Sequence, residues 1–312
     1  LNLTVKYTDA TGIDIDQTHN LTRLAFTKHF AIAGQGYAPK LNKLLRTIAM
    51  FLHYSYYLKE KGFTNNHFSE PPIQLSDPTE KGQFSNLAGK AIADFLSKRI
   101  DKSKFTVNYE AAMRLEKMPL KGGRPDLLAF AGKSRFAIEA KGYSEGFGDM
   151  KKHKAQSKTG GLKVDFTVAC VSYNLYKTVK CNYLDPANDN APSNDDLLRA
   201  LTRNYYKGLL QFLDERYFEY REIEIQGEKF YEVSLLYPGF ENDFVGQNSY
   251  CPFLYYEILD YYNPQLILPK NIVDYSENGL SNESSPFLFE NINNVNIYID
   301  NDRVGLQIRG LR

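Results

Sequence analysis

The run GGRPDLLAFAGKSRFAIEAKG, Gly122 to Gly142, constrains this chain more than any other stretch. Its two short apolar segments, Leu127 to Ala131 and Phe136 to Ala140, are separated only by Gly132, Lys133 and Ser134, which reads as a β-hairpin. Asp126 and Glu139 then stand at neighbouring ends of paired strands. Side chains alternate along a strand, so Glu139 and Lys141 project from one face. Two carboxylates and an amine thus converge on one spot.

The flanking chain places that hairpin in an α/β unit. SDPTEKGQFSNLAGKAIADFLSKRI predicts a helix, with Asp77 as N-cap, Pro78 at the first position and Glu80 at the capping-box position. Phe84, Leu87, Ala88, Ala91, Ile92, Phe95 and Leu96 form its apolar stripe, and Asp94 is assigned to its solvated face. A strand near Phe105 to Met113, the hairpin, a polar helix from about Gly148 to Ser157 and a strand in KVDFTVACVSYNLY follow. The order helix, three strands, helix, strand over Pro78 to Tyr176 describes one mixed sheet flanked by helices. Its first three strands could form a meander.

The rest of the chain falls either side of this core. Residues 1–76 read as an N-terminal helical region, with Leu41, Leu44, Leu45, Ile48, Leu52 and Tyr56 near a common face. Residues 77–184 hold the core. Residues 185–312 begin with the break DPANDNAPSND, continue with a helix capped by Asn194 or Asp195 and carrying Leu197 to Leu213, and end in short alternating runs that predict a mostly β region. With 312 residues, a main domain with substantial additions is expected.

Composition narrows the partners. A net charge of +1 excludes nucleic-acid affinity resting on bulk charge but permits a local basic groove. Cys170, Cys181 and Cys251 lack paired-ligand spacing, so neither a disulfide framework nor a structural zinc site is indicated, and a reducing cytoplasm is the expected compartment. No apolar run is long enough to span a bilayer, and LNLTVKYTDATG lacks the order of a secretion signal, so no membrane partner is expected.

Hydrolysis of a phosphodiester needs hard oxygen ligands for Mg²⁺, an activated water and a cation near the reacting oxygens. Asp126 and Glu139 can supply carboxylates, the Ala140 carbonyl can point into the same site, and Lys141 can hold the water or stabilise developing charge. The alternative is ordinary surface chemistry, a turn Asp followed by an exposed Glu-X-Lys pair on an edge strand.

Pro125-Asp126 followed by Glu139-Ala140-Lys141 resembles the signature of the PD-(D/E)XK, or restriction-endonuclease-like, nuclease superfamily, and the element order over Pro78 to Tyr176 is similar to that fold. The resemblance implies a Mg²⁺-dependent endodeoxyribonuclease, with Mn²⁺ as an expected substitute, Asp126 and Glu139 as metal ligands and Lys141 as the catalytic lysine. Many members add an acidic residue from the first helix, which makes Glu80 a further metal candidate beside its capping role. A glutamine or basic residue on the helix after the catalytic strand often lines the site in that family, so Lys151, Lys152, Lys154 and Gln156 become candidates for contacting the DNA backbone; His153 is too isolated to be read as a metal ligand. Restriction, phage defence or repair are the settings this implies. A homodimer or a partner subunit is expected, because a duplex cut needs two scissions. A non-catalytic nucleic-acid-binding or assembly subunit and an RNA-directed nuclease are the alternatives.

Overall fold

A computed structural model describes residues 1–9, 11–33, 53–72, 77–132, 134–184, 195–235, 262–280 and 291–309. The architecture is mixed α/β, with a seven-stranded mixed sheet, a second, six-stranded antiparallel sheet, and helices packed against them.

Strands β1 (Asn2–Thr8), β2 (Asp14–Asn20), β3 (Phe105–Asn108), β4 (Leu127–Ala131), β5 (Ser134–Gly142), β6 (Phe166–Tyr173) and β7 (Lys180–Leu184) form the large sheet in the order β2-β1-β7-β6-β5-β4-β3. Strands β3, β4 and β5 are antiparallel neighbours, as a meander requires, and β5 pairs parallel with β6. A parallel pair needs a crossover, and helix α5 (Met150–Ser157) supplies it. Among the described residues, the helices before it are α1 (Arg23–Ile32), α2 (Glu60–Thr64), α3 (Pro78–Arg99) and α4 (Tyr109–Leu115).

Helix α3 forms where its stripe predicts. Asp77 accepts from the Thr79 N–H at 2.8 Å and Pro78 occupies the first turn, where its missing N–H costs nothing. Phe84, Ala88, Ala91, Ile92, Phe95 and Leu96 are buried in one core with α1 and with Leu127, Ala129, Phe136, Ile138 and Ala140 of the sheet. Each large side chain contributes ~1.5–3 kcal/mol by leaving water. The opposite face carries Val107, Leu128, Phe130 and Ala137, packed with α4 and with helix α6 (Asp195–Leu209). After a 3-10 turn at Leu210–Leu213, the chain enters the second sheet. Its strands β8 (Tyr220–Ile225), β9 (Glu228–Ser234), β10 (Pro264–Pro269), β11 (Ile292–Asn293), β12 (Ile297–Ile299) and β13 (Gly305–Ile308) run in the order β11-β12-β13-β10-β9-β8, with helix α7 (Ile272–Asn278) following β10. The mostly β C-terminal region is as its alternating runs predict.

Several expectations are corrected. The first twenty residues are not helical but form the β1–β2 hairpin, and β1 pairs parallel with β7, so the boundary drawn at 76/77 divides elements of a single sheet. Alternation of Leu1, Leu3 and Val5, all buried, makes β1 a strand; β2 is a polar edge strand with no such pattern. Leu41, Leu44, Leu45, Ile48 and Leu52 lie outside the described residues, as do Cys251 and Asn194. The strand expected to reach Met113 stops at Asn108, whose side chain caps α4 by accepting from the Ala111 N–H at 3.0 Å. Strand β7 was not anticipated. It brings Cys181 to within 3.5 Å of Cys170, sulfur to sulfur, both buried as free thiols. Among the described residues, no helix is long and apolar enough to cross a membrane.

Asp94 is the sharpest correction. It is fully buried, receiving the Thr106 hydroxyl at 2.6 Å and lying 2.7 Å from His29 Nδ1. His29 Nε2 meets the Tyr298 hydroxyl at 2.7 Å, and Lys98 Nζ lies 3.9 Å from Asp94, 3.3 Å from Asp300 and 3.6 Å from Asp302. Lys28 adds bonds to Asp300 at 2.8 Å and Asp302 at 2.5 Å and also reaches the Val304 carbonyl. This buried ionic network ties α1 and α3 to the turn between β12 and β13.

Candidate active site

The site lies where β4 begins late and β5 runs on alone. Leu127 pairs with Ile138, so Asp126, just before β4, stands at the end of the ladder beside Glu139. The backbone holds it there twice over. The Asp126 N–H donates to the Ile138 carbonyl at 3.0 Å, and its own carbonyl accepts from the Tyr109 N–H at 3.1 Å. With its carbonyl engaged elsewhere, Asp126 uses its carboxylate to accept the Ala140 N–H at 3.1 Å. The N–H and C=O of one strand residue share an edge, so the Ala140 carbonyl shares the edge that Asp126 occupies.

Glu139 is fully buried, at 0% exposure, on the face it shares with Ala137 and Lys141. The Lys141 ammonium pairs with its Oε1 at 2.5 Å and lies 3.5 Å from Asp126 Oδ2, so one cation bridges both carboxylates. Lys141 is the partner of Oε1, and among the described residues no hydrogen bond reaches the buried Oε2. Burial, and then the Asp126 charge, push the Glu139 carboxyl up to about 7 against the pull of Lys141 and Lys90. Burial alone would lower the Lys141 ammonium, but Glu139 and Asp126 outweigh it and raise it.

An unpartnered carboxylate oxygen beside a second carboxylate and a free-edged carbonyl is a donor set suited to a hard divalent cation. Among the described residues it numbers two carboxylates only. Among the described residues, no group of three or more His, Cys, Asp or Glu side chains could hold a metal ion.

The remaining predicted residues divide. Glu80 is not brought to the site; it faces the hydroxyls of Tyr54, Tyr57 and Tyr176, which its charge helps to raise after burial. Helix α5 covers the Glu139 face. Its Lys151 and Lys152 are exposed in the first turn, above the Asp149 cap. Lys154 points inward instead, donating to the Thr167 carbonyl and, at 2.7 Å, to its hydroxyl. It cannot meet a phosphate while it holds β6, which corrects the expectation for that residue. Gln156 is half-buried and makes no hydrogen bond to Asp126, Glu139 or Lys141. His153 is less isolated than expected. The Tyr143 hydroxyl lies 3.0 Å from its Nε2, its buried Nδ1 has no hydrogen-bond partner, and burial followed by the Lys141 charge lowers its pKa.

Sequence reasoning missed Lys90. Its Nζ lies 2.8 Å from Asp126 Oδ1, so a second ammonium, from α3, reaches the site. Two glycines allow it. A Cβ on Gly89 would stand 2.5 Å from the backbone of Lys141 and Gly142, and one on Gly142 would collide with the Ser85 carbonyl. A glycine inside a helical stripe was the available signal, since it costs ~1 kcal/mol against alanine and so implies a close approach. Gly89→Ala should therefore lose stability despite its better helix propensity, because the methyl meets backbone that has nowhere to move; the expected net loss is ~1–3 kcal/mol in urea unfolding. A neutral or stabilising result would show that α3 does not sit this close to β5.

Comparison with protein-family models, with curated proteins and with solved structures finds no match.

Proposed function

We propose that the chain is a metal-dependent nuclease that hydrolyses DNA phosphodiester bonds with Mg²⁺, on a restriction-endonuclease-like core. The observation that carries it is the fully buried Glu139 carboxylate, paired with Lys141 through Oε1 and left without a hydrogen bond at Oε2, beside Asp126. Burying a carboxylate with one oxygen left without a hydrogen bond is costly, and a surface Glu-X-Lys pair would show no such burial. The order α3, β3-β4-β5, α5, β6, with β5 parallel to β6, supports the fold reading.

In the proposed reaction Asp126, Glu139 and the Ala140 carbonyl would hold the cation. The cation, when bound, lowers the pKa of its water and neutralises charge on the phosphate. Lys141, 27% exposed and tethered between the two carboxylates, is placed to orient the attacking water and to stabilise negative charge on a non-bridging oxygen. The Ala140 N–H keeps the Asp126 carboxylate turned towards β5. Lys151 and Lys152, exposed beside this face, are the residues of α5 free to attract a nucleic-acid backbone. One site cuts one strand, so scission of a duplex calls for a second copy or a second visit.

The test is direct. Purified protein is incubated with supercoiled plasmid, linear duplex, single-stranded DNA and RNA, in Mg²⁺, in Mn²⁺ and in chelator. Cleavage of DNA with either metal and none with chelator is expected. Cleavage confined to RNA would move the substrate, and no cleavage of any of the four would remove the enzymatic assignment.

A further inference from the structure

Asp126 carries an ammonium on each carboxylate oxygen, Lys90 on Oδ1 at 2.8 Å and Lys141 on Oδ2 at 3.5 Å. The Ala140 N–H also occupies Oδ2, which leaves Oδ1, the oxygen Lys90 holds, as the less crowded position for a metal. Lys141 has a second anchor in Glu139, but among the described residues Asp126 is the only carboxylate with which Lys90 pairs. A divalent cation arriving at Asp126 therefore competes chiefly with Lys90. The displaced ammonium would not be lost to bulk solvent. Gly89, the neighbouring residue, is held against the backbone of Lys141 and Gly142, so the root of Lys90 cannot retreat from the site. Its side chain is 29% exposed and that of Asp126 is 16% exposed, so both open to the surface while Glu139 lies beneath.

We propose that Lys90 is a substrate-binding residue for the phosphodiester, held on Asp126 in the metal-free protein and transferred to a non-bridging phosphate oxygen when the metal takes the carboxylate. This rests on the nuclease assignment of the same site. One lysine then has two opposed effects. It weakens metal binding in the absence of substrate, because its charge competes for Asp126, and it strengthens substrate binding once metal is present. A lysine that merely neutralised Asp126 would have the first effect only.

Lys90→Gln removes the charge, and Lys90→Met removes it while keeping most of the apolar stem; circular dichroism and thermal melts establish which of them folds as the wild type does. Mn²⁺ affinity is measured by calorimetry without nucleic acid, and KM and kcat on linear duplex DNA are measured at saturating Mn²⁺. The expected result is a Mn²⁺ Kd three- to tenfold lower than wild type, together with a KM at least tenfold higher and a smaller change in kcat. Lys90→Arg, which keeps a phosphate-binding cation, is expected to bring KM back to within about threefold of wild type. Tighter Mn²⁺ binding with unchanged KM would overturn the proposal and leave Lys90 a counter-ion, and weaker Mn²⁺ binding would overturn the competition itself. If wild-type protein binds Mn²⁺ and cleaves while the variants match it, this inference alone fails. If wild-type protein neither binds Mn²⁺ nor cleaves, the nuclease assignment fails first and takes this inference with it.

Discussion

Glu139→Gln is expected to abolish metal-dependent cleavage, by ~10³-fold or more, and at the same time to stabilise the protein at pH 8. The first effect follows from removing one of the two carboxylates that the described residues bring to the site, since ~4 kcal/mol of transition-state stabilisation corresponds to three orders of magnitude. The second follows from the raised carboxyl. Its pKa in the folded protein is pushed up to about 7, above the unfolded value of 4.5. The folded state therefore binds the proton more tightly, and the stability this contributes, complete below about pH 4.5, is lost as the pH rises through 7. An amide of the same shape carries no such loss. The variant should gain on the wild type as the pH is raised from 5 to 8, by about 1–3 kcal/mol. Urea unfolding of both proteins at the two pH values, without metal, measures the gain. Equal pH dependence in the two proteins would mean that Glu139 is ionised and satisfied in some other way. The same proton makes metal binding pH-dependent, because a cation at Glu139 must displace it.

Lys98→Met should be the most destabilising single change outside the site, with an expected loss of ~3–5 kcal/mol. Lys98 is fully buried among Asp94, Asp300 and Asp302. Burial alone would lower its pKa, but these three carboxylates raise it well above the ordinary lysine range. Burial would likewise raise Asp300, yet Lys28 and Lys98 hold it well below the usual carboxylate range. Methionine keeps the volume of the stem and removes the charge, so the cost is that of carboxylates left buried with Lys28 as their remaining ammonium. Adding Asp302→Asn should restore part of it, because that change removes one of the uncompensated charges; the double-mutant cycle in urea gives the coupling directly. A loss under ~1 kcal/mol would mean that water enters the network. The network also fixes how the second sheet meets α1 and α3, since Asp300 and Asp302 belong to the turn before β13 while Lys28, His29, Asp94 and Lys98 belong to those helices.

Locally patterned features were legible in the chain itself. The hairpin of β4 and β5, the stripe and cap of α3, the Leu-rich face of α6 and the alternating strands of the second sheet all follow from periodicity and turn chemistry within short windows. Spacing alone put Glu139 and Lys141 on one face, and the hairpin put Asp126 and Glu139 at neighbouring ends of paired strands. Other features depended on partners far along the chain. Polar β2 becomes a strand because β1 is there to pair with it, and β1 joins the large sheet through β7, more than 170 residues away. Asp94, Lys98 and Lys154 occur in helices whose sequences mark them as solvated, and their burial became tolerable only when His29, Asp300 and Thr167 arrived from other elements. Lys90 reaches Asp126, and Glu80 does not, because two glycines bring the middle of α3 against β5 while its first turn faces a cluster of tyrosines. Periodicity encodes which face of an element is apolar, but the free energy of a buried charge is set by what surrounds it, and only the tertiary structure supplies those neighbours.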